Sequence, residues 1–302
     1  MNIRKAMVIG LVAVLELGAI GLMVSLRLPG RAGQAAAAVP PRQPAVVEVA
    51  HEPAPASAPA VTPEPEPLPP APPPPPPPVP VAERMPVPVL MYHEITPGPN
   101  NLYVAPEELA GHLKWMKDNG YTAITLKQLY DYYTEGKPVP EKPVVLTFDD
   151  SYSSYYWNAL PLLRQYGWPG TLFVITGSLG ETGHMTWDQV REAARQGTEL
   201  GAHTINHPSL ELLTGKRLVN EIAGSREALE RETGRTIQFL CYPAGKWNEE
   251  TLKVTREAGY LGAVTTKFGL AAADQDPYRW QRLRINKGLS PQGLGSLIQG
   301  AR

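Results

Sequence analysis

Two aspartates and two histidines have spacings in this sequence that suit metal-assisted chemistry. Asp149 and Asp150 directly follow an apolar run at residues 144–148, and His203 and His207 are four residues apart. On a helical turn, a spacing of four places both imidazoles on one face. One carboxylate and two imidazoles can hold a divalent ion while leaving positions open for water and substrate. The other carboxylate could then act as a base beside the ion.

Each pair also has an ordinary explanation when taken alone. An isolated Asp-Asp pair commonly caps a helix and adds a surface charge, and two histidines four apart are more often surface or core residues than ligands. The two pairs, however, each follow a predicted strand, and so do His93 and the segment 241–245. Loops that follow parallel strands meet at one edge, where α/β barrels carry out catalysis. This convergence is stronger evidence than any single motif.

The elements that must position these residues begin near residue 86, where short apolar runs alternate with amphipathic stretches. This alternation predicts an α/β fold with a mostly parallel sheet, either doubly wound or closed into a barrel. The predicted strands cover residues 88–92, 121–124, 144–148, 171–175, 199–202, 237–240, 260–265 and 283–285. Helices are predicted at 106–119, after Thr125, at 153–166, 187–196 and 215–232, after Asn248 and after Ser290.

Proline divides the chain into parts, because 21 of the 34 prolines lie between residues 40 and 88. Residues 29–85 are rich in Ala and Pro, which disfavours helix and sheet and favours extended polyproline II structure. We expect a disordered, semi-rigid stalk there; a linker with no required length is the alternative. The remaining residues, 86–302, suit one domain with a sizeable core.

The amino-terminal segment 1–28 has the pattern of a transmembrane signal-anchor. Residues 6–26 form an apolar run of the length that spans a bilayer, although it contains Glu16. A cleaved signal peptide is the alternative, because small residues at 35–38 could supply a cleavage site. An anchor would place the protein at the cell membrane with its domain outside the cytoplasm, and cleavage would secrete it.

Composition excludes several classes of function. A net charge of −1 with no basic block argues against nucleic acid as a partner. The single cysteine, Cys241, rules out an intrachain disulfide and any zinc site built from paired cysteines. Six histidines make a site of histidine and carboxylate ligands the more plausible metal centre.

Three motifs in order resemble the signature of the polysaccharide deacetylases, the NodB-homology group or carbohydrate esterase family 4. They are Thr147-Phe-Asp-Asp150, His203-Thr-Ile-Asn-His207 and Tyr242-Pro-Ala-Gly245. The similarity covers about residues 86–287, and the opening Pro-Val-Leu-Met-Tyr-His93 resembles the branch that deacetylates poly-β-1,6-N-acetylglucosamine. The resemblance implies a distorted (β/α)7-type barrel. It also implies hydrolytic removal of acetyl groups from N-acetylglucosamine residues of a polysaccharide.

The resemblance further implies a role for each motif residue. Asp150, His203 and His207 match metal ligands, with Zn²⁺ as the expected ion and Co²⁺, Ni²⁺ or Mn²⁺ as alternatives. Asp149 matches the general base that takes a proton from metal-bound water. The backbone N–H of Ala244 matches the oxyanion donor, and Tyr242 and Pro243 lie beside it at the substrate.

The sequence also departs from the family pattern. The late histidine of most members is missing, since no histidine follows His207, which makes His93 the expected general acid. A buried, hydrogen-bonded histidine is the other explanation of His93. Cys241 stands where the third motif usually has arginine, and Ser151 stands where glycine is common. Arg282 is the candidate replacement beside Asp149, with a surface arginine as the alternative.

Three other residues and two alternative functions have simpler expectations. Cys241 is expected to be a small buried residue, and His51 and His112 to be solvated. A catalytically silent carbohydrate-binding barrel is one alternative, although the intact Asp and His residues argue against it. A metal amidohydrolase acting on a small amide or ester is the other. An anchor and stalk suit a polymer at the cell surface better than a soluble metabolite.

Overall fold

The structure is a computed structural model that describes residues 78–301. The predicted membrane segment, residues 6–26, and the linker up to residue 77 lie outside the described residues. Among residues 78–301, no helix combines the length and apolar character needed to cross a bilayer.

Every predicted strand has a counterpart in the structure, with ends shifted by up to three residues. Strands covered on both faces are apolar along their length, and this composition made them recognisable in the sequence. The described residues contain eight strands: β1 (Val89–Tyr92), β2 (Tyr121–Ile124), β3 (Lys142–Phe148), β4 (Thr171–Val174), β5 (Glu199–Ala202), β6 (Phe239–Cys241), β7 (Gly262–Phe268) and β8 (Trp280–Arg284).

Seven of these strands close into a parallel barrel. Strand β1 pairs with β3 on one side and β8 on the other, and β8 leads back to β3 through β7, β6, β5 and β4. Strand β2 is outside this ring and pairs with residues 142–145 of β3. Val145 faces Val89 of β1 and Ile124 of β2, so β3 has a neighbour on each edge. The sheet is therefore the closed alternative of the two predicted architectures, a seven-strand barrel with helices.

Four of the eight α-helices within residues 78–301 begin at a residue whose side chain caps the helix. Thr125, Thr186, Asn248 and Ser290 each accept a hydrogen bond from the backbone N–H three residues later. The helices are α1 (Pro106–Asp118), α2 (Leu126–Glu135), α3 (Leu160–Gln165), α4 (Trp187–Arg195), α5 (Gly215–Val219), α6 (Ser225–Thr233), α7 (Glu249–Glu257) and α8 (Pro291–Gly300).

Two predicted helices differ from the prediction because each contains a π-helical turn. The turn Tyr155–Ala159 precedes α3, and the turn Asn220–Gly224 separates α5 from α6. Such turns widen a helix locally and occur often at functional sites. Each turn lies next to a loop that carries a candidate site residue. Ser154 accepts a hydrogen bond from Ile95 N, two residues beyond His93, and Glu221 contacts the loop between His203 and His207.

Two apolar layers hold the barrel. One fills its interior and includes Phe173, Phe239 and Trp280, the last two stacked with ring centroids 6.1 Å apart. The other lies between strands and helices, where Leu90 and Tyr92 of β1 contribute. Because both layers are buried, the polar side chains at the carboxyl ends of the strands stand on a rigid base.

Candidate active site

The two aspartates lie where β3 ends and the backbone turns sharply. Asp149 N donates to the carbonyl of Tyr92 at the end of β1. Asp150 and Ser151 then adopt φ values of 71° and 53°, in the left-handed region that favours glycine. This geometry explains why glycine suits the position of Ser151. Here the Ser151 hydroxyl accepts a hydrogen bond from Ile175 N at 3.4 Å.

Asp150, His203 and His207 form a compact group of three side chains whose types are suited to binding a metal ion. Oδ1 of Asp150 lies 3.3 Å from His203 Nε2 and 3.6 Å from His207 Nε2, and one ligand atom from each residue lies within 4.8 Å of the others. Ligands bound about 2.0–2.1 Å from a tetrahedral zinc ion would be about 3.3 Å apart. The donor types and spacing therefore fit a divalent metal ion.

His203 has the additional contact expected of an oriented ligand. Its Nδ1 is 2.7 Å from the carbonyl oxygen of Cys241, which directs Nε2 toward Asp150. Burial disfavours the charged imidazole, but the bonds to Cys241 and Asp150 raise the pKa of His203 well above its usual value. A proton and a metal ion therefore compete for Nε2.

The segment that joins the two histidines is a loop rather than the helical turn that their spacing suggested. Thr204 and His207 have φ values of 66° and 55°, which a helix does not contain. The Thr204 hydroxyl accepts a hydrogen bond from His207 N at 2.9 Å. The two imidazoles still meet, with ring centroids 4.7 Å apart, so the expected proximity arises from a different backbone.

Arg282 lies against Asp149 in the barrel interior. Its Nη1 and Nη2 donate to the two carboxylate oxygens, each at 2.8 Å, and its Nε donates to the carbonyl of Thr265. Burial alone would raise the pKa of Asp149, but the guanidinium holds that pKa below its usual range. Asp149 is therefore an ionised, fixed carboxylate.

Cys241 is fully buried beside this ion pair. Its Sγ lies 3.1 Å from Arg282 Nη2 and 3.5 Å from Asp149 Oδ2. Burial raises the pKa of the Cys241 thiol, which leaves it neutral and poorly suited to act as a nucleophile. A small side chain at this position leaves room for the guanidinium of Arg282 from β8.

His93 follows β1 and faces Asp149. Its side chain is nearly buried, and Nε2 lies 3.9 Å from Asp149 Oδ2, too far for a hydrogen bond. Within the described residues, Nδ1 is buried without a hydrogen-bond partner. Burial lowers the pKa of His93, against the opposing effect of the Asp149 and Asp150 carboxylates.

The segment after β6 makes a tight turn at Pro243–Gly245. Gly245 N donates to the carbonyl of Tyr242, and Lys246 N donates to that of Pro243. Ala244 has a φ of 51° and is exposed, whereas Tyr242 and Pro243 are buried. The turn therefore brings the backbone of Ala244, rather than its buried neighbours, to the surface beside the site.

Backbone strain is concentrated in these turns. Among residues 78–301, all non-glycine residues with positive φ belong to the three motifs or directly follow one: Asp150, Ser151, Thr204, His207 and Ala244. Such conformations cost of order 1–3 kcal/mol each and persist where surrounding structure imposes them, commonly at functional sites.

Sequence reasoning was wrong about His112 and missed two neighbours of the site. His112 is buried rather than solvated, with hydrogen-bonding contacts to Tyr92 OH and the Leu289 carbonyl. Tyr152 packs on the His184 ring at 5.2 Å beside Asp150, and burial raises the pKa of Tyr152 to about 12. Glu221 braces the histidine loop. The position of Tyr152 two residues after Asp150 was a usable signal, whereas Glu221 had none.

Comparisons with known proteins agree with this geometry. The profile of the family described as "Polysaccharide deacetylase" matches residues 136–263. The Bacillus subtilis protein YxkH, assigned to the polysaccharide deacetylases, is 38% identical over 216 residues, which cover 72% of this chain and 77% of YxkH.

A second relative and a solved structure extend the comparison. A poly-β-1,6-N-acetyl-D-glucosamine N-deacetylase of Escherichia coli is 30% identical over 205 residues, but the match covers 53% of this chain and only 30% of that protein. The deacetylase PplD of Streptococcus pyogenes, solved in complex with acetate, has 31% identity and a TM-score of 0.68. That alignment covers 71% of this chain and 99% of PplD. By sequence and by fold, the chain belongs to the polysaccharide deacetylase family of hydrolases.

Proposed function

We propose that the protein is a metal-dependent hydrolase that removes N-acetyl groups from an N-acetylglucosamine-containing polysaccharide of the cell wall or an exopolysaccharide. The observation that carries this proposal is that the two adjacent aspartates have different partners. Asp150 faces two histidines, while Asp149 is paired with the buried Arg282. The E. coli relative is named for action on poly-β-1,6-N-acetyl-D-glucosamine, which supports the substrate class.

Asp150, His203 and His207 would hold the ion, for which Zn²⁺ is the first candidate and Co²⁺, Ni²⁺ or Mn²⁺ are alternatives. When bound, such an ion polarises the acetamide carbonyl and makes the attacking water more acidic. The chain contributes fixed ligand positions, since the carbonyl of Cys241 orients His203.

Asp149 is the proposed general base. Its carboxylate is ionised and cannot rotate, because both oxygens accept hydrogen bonds from Arg282. It takes one proton from the water that attacks the acetamide carbon. Charge then develops on the carbonyl oxygen, and the N–H of Ala244 is the proposed donor to it. Tyr242 and Pro243 support this turn from within the core.

His93 is the proposed general acid. Its Nε2 lies 3.9 Å from Asp149 Oδ2, and its position after β1 brings it to the same edge of the barrel as the two aspartates. It donates a proton to the amide nitrogen as the carbon–nitrogen bond breaks. The products are acetate and a free amine on the sugar.

We propose that residues 1–28 anchor the protein in the cell membrane through residues 6–26, that residues 29–85 form a stalk, and that the domain 86–302 works outside the cytoplasm. A length of apolar sequence sufficient for a bilayer supports the anchor. Nucleic acid is not a proposed partner, since the net charge is −1.

Acetate release tests the proposed reaction and its substrate class. The purified protein is incubated with poly-β-1,6-N-acetylglucosamine, peptidoglycan or chitin, and acetate and new amines are measured. We expect equal amounts of both products from at least one polymer, and none from the Asp149→Asn variant. Hydrolysis of small acetyl amides or esters with no release from any polymer would instead support the small-substrate amidohydrolase.

A further inference from the structure

Glu221 binds the loop that carries the two histidine ligands. It lies in the π-helical turn Asn220–Gly224 and is only 8% exposed. Its Oε2 accepts hydrogen bonds from the backbone N–H groups of Ile205 and Asn206, both at 2.9 Å. Its Oε1 accepts a third from Asn206 Nδ2 at 2.8 Å. A single carboxylate thus binds the middle of the loop at three points.

The histidine loop needs such support because it lacks regular secondary structure. Backbone amides that leave water require acceptors, and a loop cannot supply them internally as a helix does. On the opposite side, the carbonyls of Thr204 and Ile205 accept hydrogen bonds from Thr176 and Gly177. The loop is therefore held between the segment that follows β4 and the carboxylate of Glu221.

His207 depends on this loop more than His203 does. The His203 ring is buried and bonded to the Cys241 carbonyl, whereas the His207 side chain is 37% exposed. The position of His207 is therefore set mainly by its backbone, which is in the left-handed region directly after the residues that Glu221 binds. Hydrogen bonds to an ionised carboxylate are short and strong, so they can hold a strained backbone.

We propose that Glu221 is a positioning residue for the metal site, which acts by fixing the loop so that His207 stays within reach of the ion held by Asp150 and His203. This inference rests on the proposed metal site and adds a residue to it. Outer groups that orient ligands typically contribute about 10–100-fold to metal affinity. The π-helical turn contributes to this role, because Glu221 lies in it and faces the loop.

Zinc affinity of the full-length protein tests the proposal, measured by competition with a chromogenic chelator. Glu221→Ala should bind Zn²⁺ about 10–100-fold more weakly than the wild type. Glu221→Gln should bind more tightly than Glu221→Ala, because its amide oxygen can accept the same two backbone N–H groups. Hydrogen exchange of Ile205 and Asn206 amides in the metal-free protein should be faster in Glu221→Ala.

Glu199 provides a matched control at the opposite end of β5. Its carboxylate also accepts hydrogen bonds from two consecutive backbone amides, those of Leu126 and Lys127, at 2.7 and 2.9 Å. Glu199→Ala therefore removes the same kind of contact as Glu221→Ala, away from the site. Its zinc affinity should equal that of the wild type.

The outcomes separate this inference from the proposed function. Zinc binding by Glu221→Ala with wild-type affinity, or an equal loss in Glu199→Ala, would overturn the role of Glu221 and leave the metal site standing. No zinc binding by the wild type would overturn the metal site itself. If Glu221→Ala does not fold, Glu221→Asp replaces it. Aspartate keeps the carboxylate, but its shorter side chain moves the oxygens away from the loop. Wild-type zinc affinity in Glu221→Asp would also contradict the proposal.

Discussion

At the scale of single residues, the buried pair of Asp149 and Arg282 controls the character of the site. Removing one partner of a buried ion pair leaves an uncompensated charge, at a cost of about 3–5 kcal/mol. Because the pKa of Asp149 is lowered in the folded protein, the pair stabilises the fold above the ordinary aspartate pKa of about 3.9. That stability is lost as pH falls through the lower pKa of the folded state.

Replacement of Arg282 should therefore have a pH-dependent effect on stability. Arg282→Met should lower the free energy of unfolding by about 3–5 kcal/mol at neutral pH, measured by urea denaturation. The loss should shrink toward about pH 4. In the variant, burial without a partner raises the pKa of Asp149, so its protonation removes the unpaired charge. An equal loss at both pH values would show that packing, rather than charge, explains the contact.

Replacement of His93 tests its role in proton transfer. If it is the general acid, His93→Ala should lower kcat by about 10²–10⁴-fold while the metal content stays unchanged. The fall in rate at high pH should disappear, because that fall reports loss of the acid's proton. Substrates with a better leaving amine should be affected less. Near wild-type kcat, or loss of the metal, would make His93 structural or a ligand.

At the scale of elements, the turn after β6 holds Ala244 in a strained backbone conformation that lowers the stability of the fold. Ala244 occupies the left-handed region, which costs an ordinary residue about 1–2 kcal/mol. Ala244→Gly should therefore relieve this strain and raise the free energy of unfolding. The gain should not exceed about 1 kcal/mol, because glycine loses more entropy on folding than alanine does. Activity should persist because the backbone N–H remains. Thermal denaturation and acetate release measure the two effects.

Gly167 offers the reverse substitution as a control for that prediction. It has a φ of 64°, and a Cβ there would meet no atom within 4 Å. Gly167→Ala should thus lower stability by about 1 kcal/mol through backbone conformation alone. A destabilised Ala244→Gly variant would show that the methyl group of Ala244 contributes packing that outweighs the strain.

Local elements could be predicted from the sequence because their signals are local. Strand composition and the capping residues Thr125, Asn248 and Ser290 were sufficient to identify most strands and several helix starts. The π-helical turns could not be predicted, since no sequence pattern marks the inserted residue. The spacing of His203 and His207 suggested a helical turn, but contacts with Glu221 and the segment after β4 impose a loop.

Contacts between distant parts of the chain explain the other differences. Closure of the barrel depends on pairing of β1 with β3 and β8 rather than with β2, which neither composition nor periodicity specifies. His112 was expected in solvent, but it is buried, and the carbonyl of Leu289, 177 residues away, is its hydrogen-bonding partner. The candidate site was recognisable in the sequence because its residues follow strands directly. The strained backbone of these residues could not be recognised in the sequence.

At the scale of the whole molecule, barrel closure brings the candidate site together. Residues that follow β1, β3, β5 and β6 reach one edge, and Arg282 of β8 reaches Asp149 through the interior. These residues are about 40 or more positions apart in the sequence, so the site forms only when all seven strands of the barrel are paired. Activity should therefore be lost together with the cooperative unfolding of the domain.

The proposed anchor makes a separate prediction for the full-length protein. If residues 6–26 remain attached, the protein should fractionate with membranes, and mass spectrometry should recover peptides from its intact amino terminus. The physical reason is that about 20 apolar residues suffice to span the hydrocarbon layer. Recovery only of chains that start near residues 36–39 would show cleavage and secretion instead.

The central claim is that Asp150, His203 and His207 hold an ion on which deacetylation depends, and acetate release combined with elemental analysis tests it most directly. Chelation should abolish acetate release from the polysaccharide, leave the circular dichroism spectrum largely unchanged, and be reversed by added Zn²⁺. Asp150→Ala should lose both the bound metal and the activity. Undiminished acetate release by metal-free protein, or full retention of metal by Asp150→Ala, would contradict the account.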